Sequence, residues 1–164
     1  MTEPDWLDDH ERAAWVRLAA ILELLPGVLD SQLRRESGLT HFDYYALAML
    51  SESPERTLRM TALAAQTHAT LPRLSHVVKR LEDRGLVTRF PCPEDARATN
   101  VRLSEEGWRT VRAAAPGHVA TVRHHVVDVL TPEQVDQLTA IGSALLARLD
   151  PEGAMAEVYR RYDP

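Results

Sequence analysis

The sequence predicts a mainly α-helical protein with one small β-hairpin. Apolar residues recur at steps of three and four over most of the 164 residues, which is the helical period. Residues 87–90 and 99–103 differ, because they are short segments rich in strand-forming residues, separated by a loop that contains Pro91 and Pro93. With 45% hydrophobic and 26% charged residues, the chain can bury a core as one domain.

The first predicted helix covers residues 9–25 and carries one apolar stripe, formed by Trp15, Leu18, Leu22 and Leu25. Pro26-Gly27 is expected to interrupt or kink it, because proline lacks the N–H that a helix interior needs. The helical pattern then resumes and stops near Gly38, a residue type that suits a helix end. Thr40 is expected to cap a second helix over residues 41–51, since its hydroxyl can accept a free N–H of the first turn.

Two further helices follow in close succession. Thr61 is expected to cap a short helix, and Thr70 to cap the next one, which tolerates Pro72 in its first turn. Gly85 ends that longer helix. Steps of four and three residues place three apolar side chains on one face, which we expect to anchor the helix: Leu74, Val78 and Leu81.

The hairpin and two long helices complete the chain. The loop between the strands is expected to span residues 91–96. Ser104 caps a long helix that Pro116-Gly117 should kink midway. Thr131-Pro132-Glu133-Gln134 is a capping box with proline at the first helical position, and the helix that it begins extends to Leu149. The residues beyond it are expected to be helical or frayed.

A short helix, a tight turn, a second helix and a hairpin, in this order, make a winged helix-turn-helix, whose second helix can enter a DNA groove. Over residues 14–149 the chain resembles the MarR family, named for multiple antibiotic resistance, in the segments LRMTALA, RLSHVVKRLEDRGLV, PCPEDARATNVRLSEEG and LTPEQ. The resemblance implies one domain over residues 1–164, with a DNA-binding lobe at residues 41–103 and dimerisation helices at 9–38 and 104–149. It also implies a transcriptional regulator, a repressor that binds double-stranded DNA at a palindromic operator as a homodimer, often under a small-molecule effector.

The charge distribution favours a nucleic-acid partner although the net charge is −5. Residues 56–112 contain 11 basic and 6 acidic residues, a local net charge of +5, whereas the rest contains 8 basic and 18 acidic residues. The negatively charged phosphates of DNA are attracted by a local basic patch, whatever the net charge of the whole protein. The alternative is a chance cluster of solvated charges.

The helix after Thr70 leaves a polar and basic set of side chains exposed once its apolar face is anchored. We expect this set to bind DNA through guanine, phosphate or base-edge contacts: Thr70, Pro72, Arg73, Ser75, His76 and Lys79. At the wing, the resemblance implies that Arg97 enters the minor groove and that Asp95 braces it. An ordinary solvated helix face and a surface salt bridge are the alternatives. Other arginines are phosphate or structural partners: Arg59, Arg80, Arg84 and Arg89.

An effector pocket is expected between the dimerisation helices and the DNA-binding lobe. The resemblance places five side chains around that crevice: Trp15, His41, Tyr44, Tyr45 and His118. Aromatic rings with a few polar tips suit a small aromatic effector, such as an aromatic acid or a phenol. The alternative is that Trp15 and Tyr44, which lie on apolar stripes, belong to the core.

Cys92, the single cysteine, offers redox sensing as an alternative form of control. The wing loop is expected to expose it, and Arg89 and Arg97 lie near it in sequence, where they would favour the thiolate. The peroxide sensors of the family place their reactive cysteine near the N-terminal helix, and this chain has none there.

Other function classes find less support in the sequence. His118, His124 and His125 lack the spacing that aims two imidazoles at one metal, even if His41 joins them, so we expect neither metal nor cofactor. No nucleophile elbow, phosphate-cradling glycine loop or HExxH pattern indicates an enzyme. A winged-helix module that binds proteins instead of DNA is the alternative from another class. An acidic N-terminus without a hydrophobic signal segment predicts a cytoplasmic protein without membrane contact.

Overall fold

The computed structural model describes residues 5–163, which form a mainly helical chain with one small sheet. In chain order the elements are α1 (Asp9–Ser37), α2 (His41–Ser51), a 3₁₀ turn (Pro54–Arg56), β1 (Thr57–Arg59), α3 (Met60–Gln66), α4 (Leu71–Asp83), β2 (Val87–Cys92), β3 (Asp95–Leu103), α5 (Glu105–Val122), a π-helical turn (Arg123–Val127), α6 (Pro132–Leu149) and α7 (Ala156–Tyr159). The predicted fold class is confirmed. None of the helices in these residues is long and apolar enough to cross a membrane.

Side-chain caps begin most helices at the expected residues. Thr40 and Thr131 each form a full capping box, and Thr70 and Ser104 each accept a backbone N–H of the first turn. The prediction for Thr61 is wrong, because α3 begins at Met60, directly after the last residue of β1. The strand thus runs into the helix and leaves no position for a threonine cap.

Prolines inside the long helices do not end them. The helix α1 continues from Asp9 to Ser37 as 29 residues, so Pro26 does not interrupt it, and the kink, the other predicted outcome, stays a prediction. Pro26 is exposed, and the carbonyl that lacks a helical partner there can bind water. The helix α5 likewise runs through Pro116, where the predicted kink stays a prediction, and a π-helical turn follows at Arg123–Val127.

The sheet has the strand order β1-β3-β2, and both pairs are antiparallel. The strand β1 is absent from the sequence prediction, because three residues are too few to show a period-two alternation. The strands β2 and β3 extend further than predicted, and the loop between them shortens to Pro93 and Glu94. The wing is therefore a tight hairpin braced along one edge by a third strand.

The buried core lies in the winged-helix lobe, residues 41–103, and extends into the first half of α5. Its fully buried side chains come from α2, α3, α4 and β3, and include Leu47, Leu63, Leu74, Leu81 and Val101. Gly107 allows α5 to pack closely here, because a side chain at this position would collide with the Leu86 carbonyl oxygen. By contrast, α1 buries only three residues near its C-terminal end, and α6 buries none.

Candidate nucleic-acid interface and effector crevice

The helix α4 has one buried face and one exposed face. Leu74, Val77, Val78 and Leu81 are buried in the lobe core, which confirms the predicted anchor and adds Val77. The exposed set on the other side comprises the predicted residues Pro72, Arg73, Ser75, His76 and Lys79, together with the cap Thr70. The Thr70 hydroxyl accepts the Arg73 backbone N–H at 3.4 Å. These side chains lie on the exposed side of α4 together with Leu71, which is 47% exposed, and the opposite side anchors the helix in the core.

Two basic side chains of this surface have intramolecular partners. The Arg73 guanidinium carbon lies 4.4 Å from the centroid of the Phe42 ring, a cation–π arrangement that fixes its direction at the start of α4. The Lys79 ammonium lies 3.0 Å from the Asp83 carboxylate, and both side chains are well exposed. Such an exposed pair contributes less than about 1 kcal/mol, so a phosphate can replace Asp83 at little cost.

The wing tip carries Asp95 and Arg97, both exposed at the start of β3. The Asp95 carboxylate accepts the backbone N–H of Arg97 at 3.1 Å, so it orders the backbone from which the arginine projects. No ion pair of the Arg97 guanidinium occurs among residues 5–163, so the surface salt bridge considered as an alternative is absent there.

Other arginines of the lobe are engaged inside the protein. Arg80 forms an ion pair with Asp43, a carboxylate only 2% exposed, and this pair ties α4 to α2. Arg89 binds Glu82 through two guanidinium nitrogens at 2.7 and 2.9 Å, and these hydrogen bonds hold the pKa of Glu82 below its ordinary value. Arg84 donates to the Gly38 carbonyl at 3.2 Å. Of the two roles considered for these arginines, the structure shows the structural one.

Asp43 is a functional residue that the sequence analysis missed. Its carboxylate also accepts the Thr40 N–H at 3.0 Å as part of the capping box of α2. The Thr40-x-x-Asp43 spacing can be recognised in the sequence as a capping box. The burial of Asp43 beside Arg80 cannot, because the two residues are 37 positions apart. Since this pair holds the C-terminal part of α4 against α2, Asp43 positions the exposed surface of α4 without belonging to it.

Four of the five residues predicted for the effector crevice lie together between α2 and α5. The His118 ring centroid lies 4.5 Å from that of Tyr44 and 6.2 Å from that of His41, and His41 lies 6.4 Å from Tyr45. Trp15 does not join them within the same chain. The His41 N–H contacts Asp30, which lies 15 residues, or roughly 22 Å, further along α1 than Trp15, and Trp15 is 54% exposed.

The crevice and its surroundings contain polar atoms without partners in the described residues. In the crevice, His118 Nδ1 is buried and makes no hydrogen bond within residues 5–163; nearby, between α1 and α5, Gln32 Oε1 is also buried without a partner there. Gln32 lies on α1 close to Gly117, the residue before His118, and its role was not apparent from the sequence because it interrupts an apolar stripe. Burial lowers the pKa of both His41 and His118, which favours neutral rings. Unpaired buried atoms are groups that a bound ligand could satisfy.

Cys92 lies at the end of β2 and is only 6% exposed, so the predicted exposure of this thiol is wrong. The extension of β2 places it inside the hairpin instead of in an open loop. The backbone N–H of Glu94 is the main cause that lowers the pKa of the thiol, with the Asp95 N–H and Arg59 adding to it. Arg59 donates to the sulfur at 3.3 Å, the role that the sequence analysis gave to Arg89 and Arg97.

Comparisons with known proteins agree with this architecture. The sequence profile of the MarR family matches residues 37–98. Sco3205, a MarR family regulator from Streptomyces coelicolor solved in complex with DNA, is 44% identical, with 92% of this chain and 94% of that chain covered and a TM-score of 0.87. AbsC, a MarR family regulator from the same organism, is 38% identical over 89% of this chain and 98% of that chain, with a TM-score of 0.85. The HTH-type transcriptional regulator MT0903.1 from Mycobacterium tuberculosis is 29% identical over 82% of this chain and 94% of its own length. This chain therefore belongs to the MarR family of transcriptional regulators.

Proposed function

We propose that this protein represses transcription by binding a palindromic DNA duplex as a homodimer. The observation that carries the proposal is the two-sided character of α4, which has four buried apolar residues on one side and exposes Arg73, Ser75, His76 and Lys79 on the other. An anchored helix with such a surface is the recognition element of helix-turn-helix proteins. The complex of Sco3205 with DNA supports the proposal, since that relative is 44% identical.

We infer the homodimer from apolar surface that is exposed on α1, α5 and α6, which we call the arms. Large hydrophobic side chains on α1, α5 and α6 are between 43% and 78% exposed in one chain, among them Val16, Ile21, Leu24, Val119, Ile141, Leu145 and Leu149. An open apolar cavity of about 630 Å³ lies between α1, the segment after α5 and Leu138 of α6. Contiguous apolar surface of this kind marks an association site, and a second copy supplies the matching helices.

Two copies present two α4 helices, which is why the duplex should be palindromic. The half-sites should lie about one helical turn, ~10 bp, apart, so that both helices meet the major groove on one side of the duplex. The Thr70 end of α4 approaches a phosphate, the middle of the helix meets base edges, and Arg97 of the wing enters the adjacent minor groove. Binding across a promoter excludes the transcription machinery.

A small aromatic acid or phenol is the proposed effector, bound in the crevice between α2 and α5. A polar group of the ligand would satisfy His118 Nδ1, and Tyr44 would contact its ring. Because α2 belongs to the lobe and α5 to the arms, a ligand wedged between them favours one angle of the lobe. The ligand changes the affinity for DNA only if it binds the free conformation and the DNA-bound conformation of the protein with different affinities.

The experiment that tests the proposal is selection of bound sites from a random duplex library, followed by titration of the best site over a range of salt concentrations. We expect a palindrome, and an affinity whose logarithm falls linearly with the logarithm of salt, by about 0.9 for each phosphate contacted. Failure to retain any duplex at low ionic strength would instead support the winged-helix module that binds proteins.

A further inference from the structure

The C-terminal tail, residues 150–163, is an ordered segment instead of a frayed end. The Asp150 carboxylate accepts hydrogen bonds from the backbone N–H groups of Ala154 and Met155 at 2.7 and 2.9 Å, and from the Tyr159 hydroxyl at 3.1 Å. The Met155 N–H is the main cause that holds the pKa of Asp150 below its ordinary value. One side chain therefore organises the turn that leads from α6 into α7.

The tail folds back onto the winged-helix lobe. Val158 of α7 packs against the hydrophobic core of the lobe, and α7 lies against α3. Arg161 forms an ion pair with Glu52, the residue that ends α2, and the two side chains are 24% and 39% exposed. These contacts combine apolar burial with a partly screened ion pair, so they hold the tail more firmly than an exposed pair would.

The same tail is continuous with α6, a helix of the arms that buries no residue in one chain. A cavity of about 310 Å³ separates the two helices, lined by α6 residues and by Tyr159 and Arg160. The tail is therefore packed against the lobe and only loosely against α6. It is therefore a further connection between α6 and the lobe, in addition to the contacts that α1 and α5 make with α2.

The two ends of α2 are thus held by different parts of the molecule. At the His41 end, the backbone N–H of His41 contacts Asp30 of α1, and the ring lies beside His118 of α5. At the other end, Glu52 contacts Arg161 of the tail. The helix has 11 residues, so the two attachments are roughly 16 Å apart. Attachment at both ends of one helix fixes the angle of the lobe relative to the arms.

We propose that residues 150–163 are a brace that fixes the angle of the DNA-binding lobe, and hence the distance between the two α4 helices of the dimer. This inference rests on the homodimer of the proposed function. The brace contacts α2 and α3 and leaves the exposed face of α4 free, so it acts on DNA recognition by positioning and not by contact.

A distance measurement on the free dimer tests the brace without any DNA. Spin labels are attached at position 75 through Ser75→Cys in a Cys92→Ser background, and the distribution of the distance between subunits is recorded by pulsed dipolar spectroscopy. Val158→Asp is the disrupting variant, because it brings an unpaired carboxylate to the lobe core. Glu157→Gln, an exposed change on the same short helix, is the matched control.

The ion pair provides an independent series in case Val158→Asp perturbs the lobe itself. Glu52→Arg and Arg161→Glu each place like charges together, and the double variant restores opposite charges in reversed order. We expect the distribution to become at least twofold wider in Val158→Asp and in both single charge variants. It should return to the original width in the double variant and stay unchanged in Glu157→Gln.

A width that is the same in all variants overturns the brace, and so does a double variant that remains as wide as the single ones. If the labels show no interaction between subunits in any variant, the homodimer fails and the brace with it. If the distances respond as expected but no duplex is bound, the proposed function fails and the brace stands. Once an operator is known, duplexes with 1 or 2 bp inserted between the half-sites give a second readout. The insertions should weaken binding about tenfold for the unsubstituted protein and about threefold or less for the variants that disrupt the brace.

Discussion

The winged-helix lobe and the helical arms of this chain differ in how complete their packing is. In the lobe, Leu47, Leu63, Leu74 and Leu81 are fully buried against one another within a single chain. In the arms, α6 carries an equally regular apolar stripe, yet Ile141 is 57% exposed and no residue of the helix is buried. The lobe thus has a whole core, and the arms have part of a core that a second copy completes. In our proposal, the lobe contacts DNA and the arms set the distance between the two lobes of the dimer.

The largest effect is expected in the lobe core. Leu81→Ala removes a fully buried side chain of α4 and should lower the free energy of unfolding by about 2–5 kcal/mol, since lost burial and a residual cavity add together. Urea unfolding measures this loss. Thr88→Ala, an exposed position in β2, should change the value by less than about 0.5 kcal/mol. A loss below about 1 kcal/mol for Leu81→Ala would mean that the lobe is not close-packed.

The next largest effect is expected in the arms and should alter assembly, not folding. Ile141→Asp brings a carboxylate to the apolar surface of α6 and should raise the Kd of the dimer at least ~100-fold, about 2.7 kcal/mol, with the lobe still folded. Sedimentation equilibrium gives the Kd. Ser143→Asp adds the same charge about 160° around the helix and should leave the Kd within about threefold. An equal response of both variants would contradict the assignment of the Ile141 face to the interface.

A smaller effect is expected at the wing, where function and stability can be separated. Arg97→Ala should weaken operator binding at least about tenfold, roughly 1.4 kcal/mol, because one groove contact is lost. The dimer should be unchanged, since the side chain is exposed and unpaired among residues 5–163. Titration of the operator at fixed salt measures the change. Arg17→Ala removes an exposed arginine of α1 and is the control. If it weakens operator binding as much as Arg97→Ala does, the effect of Arg97 comes from the net charge of the protein and not from a groove contact.

The smallest effect is expected at the junction of the two regions, where His41 and His118 meet. Burial lowers the pKa of both rings, and the His41 charge adds to this for His118. As the pH falls through about 6.5, the unfolded chain takes up protons before the folded one does, so stability present above that pH is lost. When the pH is lowered from 7.5 to 5.5, the His118→Gln variant should lose less stability than the unsubstituted protein. The difference between the two losses should be less than about tenfold in the unfolding equilibrium constant.

The slope of unfolding free energy against pH, measured by urea unfolding at each pH value in the unsubstituted protein, is the reference for this pH dependence. If His118→Gln shows that same slope, the buried histidine does not contribute to the pH dependence.

The sequence predicts the local features of this fold well, because local features depend on neighbouring residues. The caps at Thr40, Thr70, Ser104 and Thr131 act within one helical turn, and the apolar face of α4 follows from its period alone. Failures occur where the context decides. The strand β1 is defined by its pairing with β3, in which Thr57 lies opposite Arg102, 45 residues further along the chain. Pro26 lies inside a helix of 29 residues, which continues on both sides of it.

The candidate site is predictable to a similar degree. The exposed set on α4 follows from the anchored face, but the roles of Arg80 and Arg89 could not be predicted, since their partners Asp43 and Glu82 are set by tertiary packing or by the turn between elements. Cys92 was expected to be exposed because a proline-rich segment reads as a loop, whereas the hairpin incorporates it. The docking of Val158 on the lobe leaves no periodic signal in a segment this short.

The most direct test of the central claim is the mass of the complex on the selected palindrome, measured by light scattering coupled to size-exclusion chromatography. We expect two chains of 18.4 kDa for each duplex, and the same stoichiometry at every protein concentration above the dimer Kd. One chain on each duplex, or a duplex that elutes without protein at low ionic strength, would contradict the account.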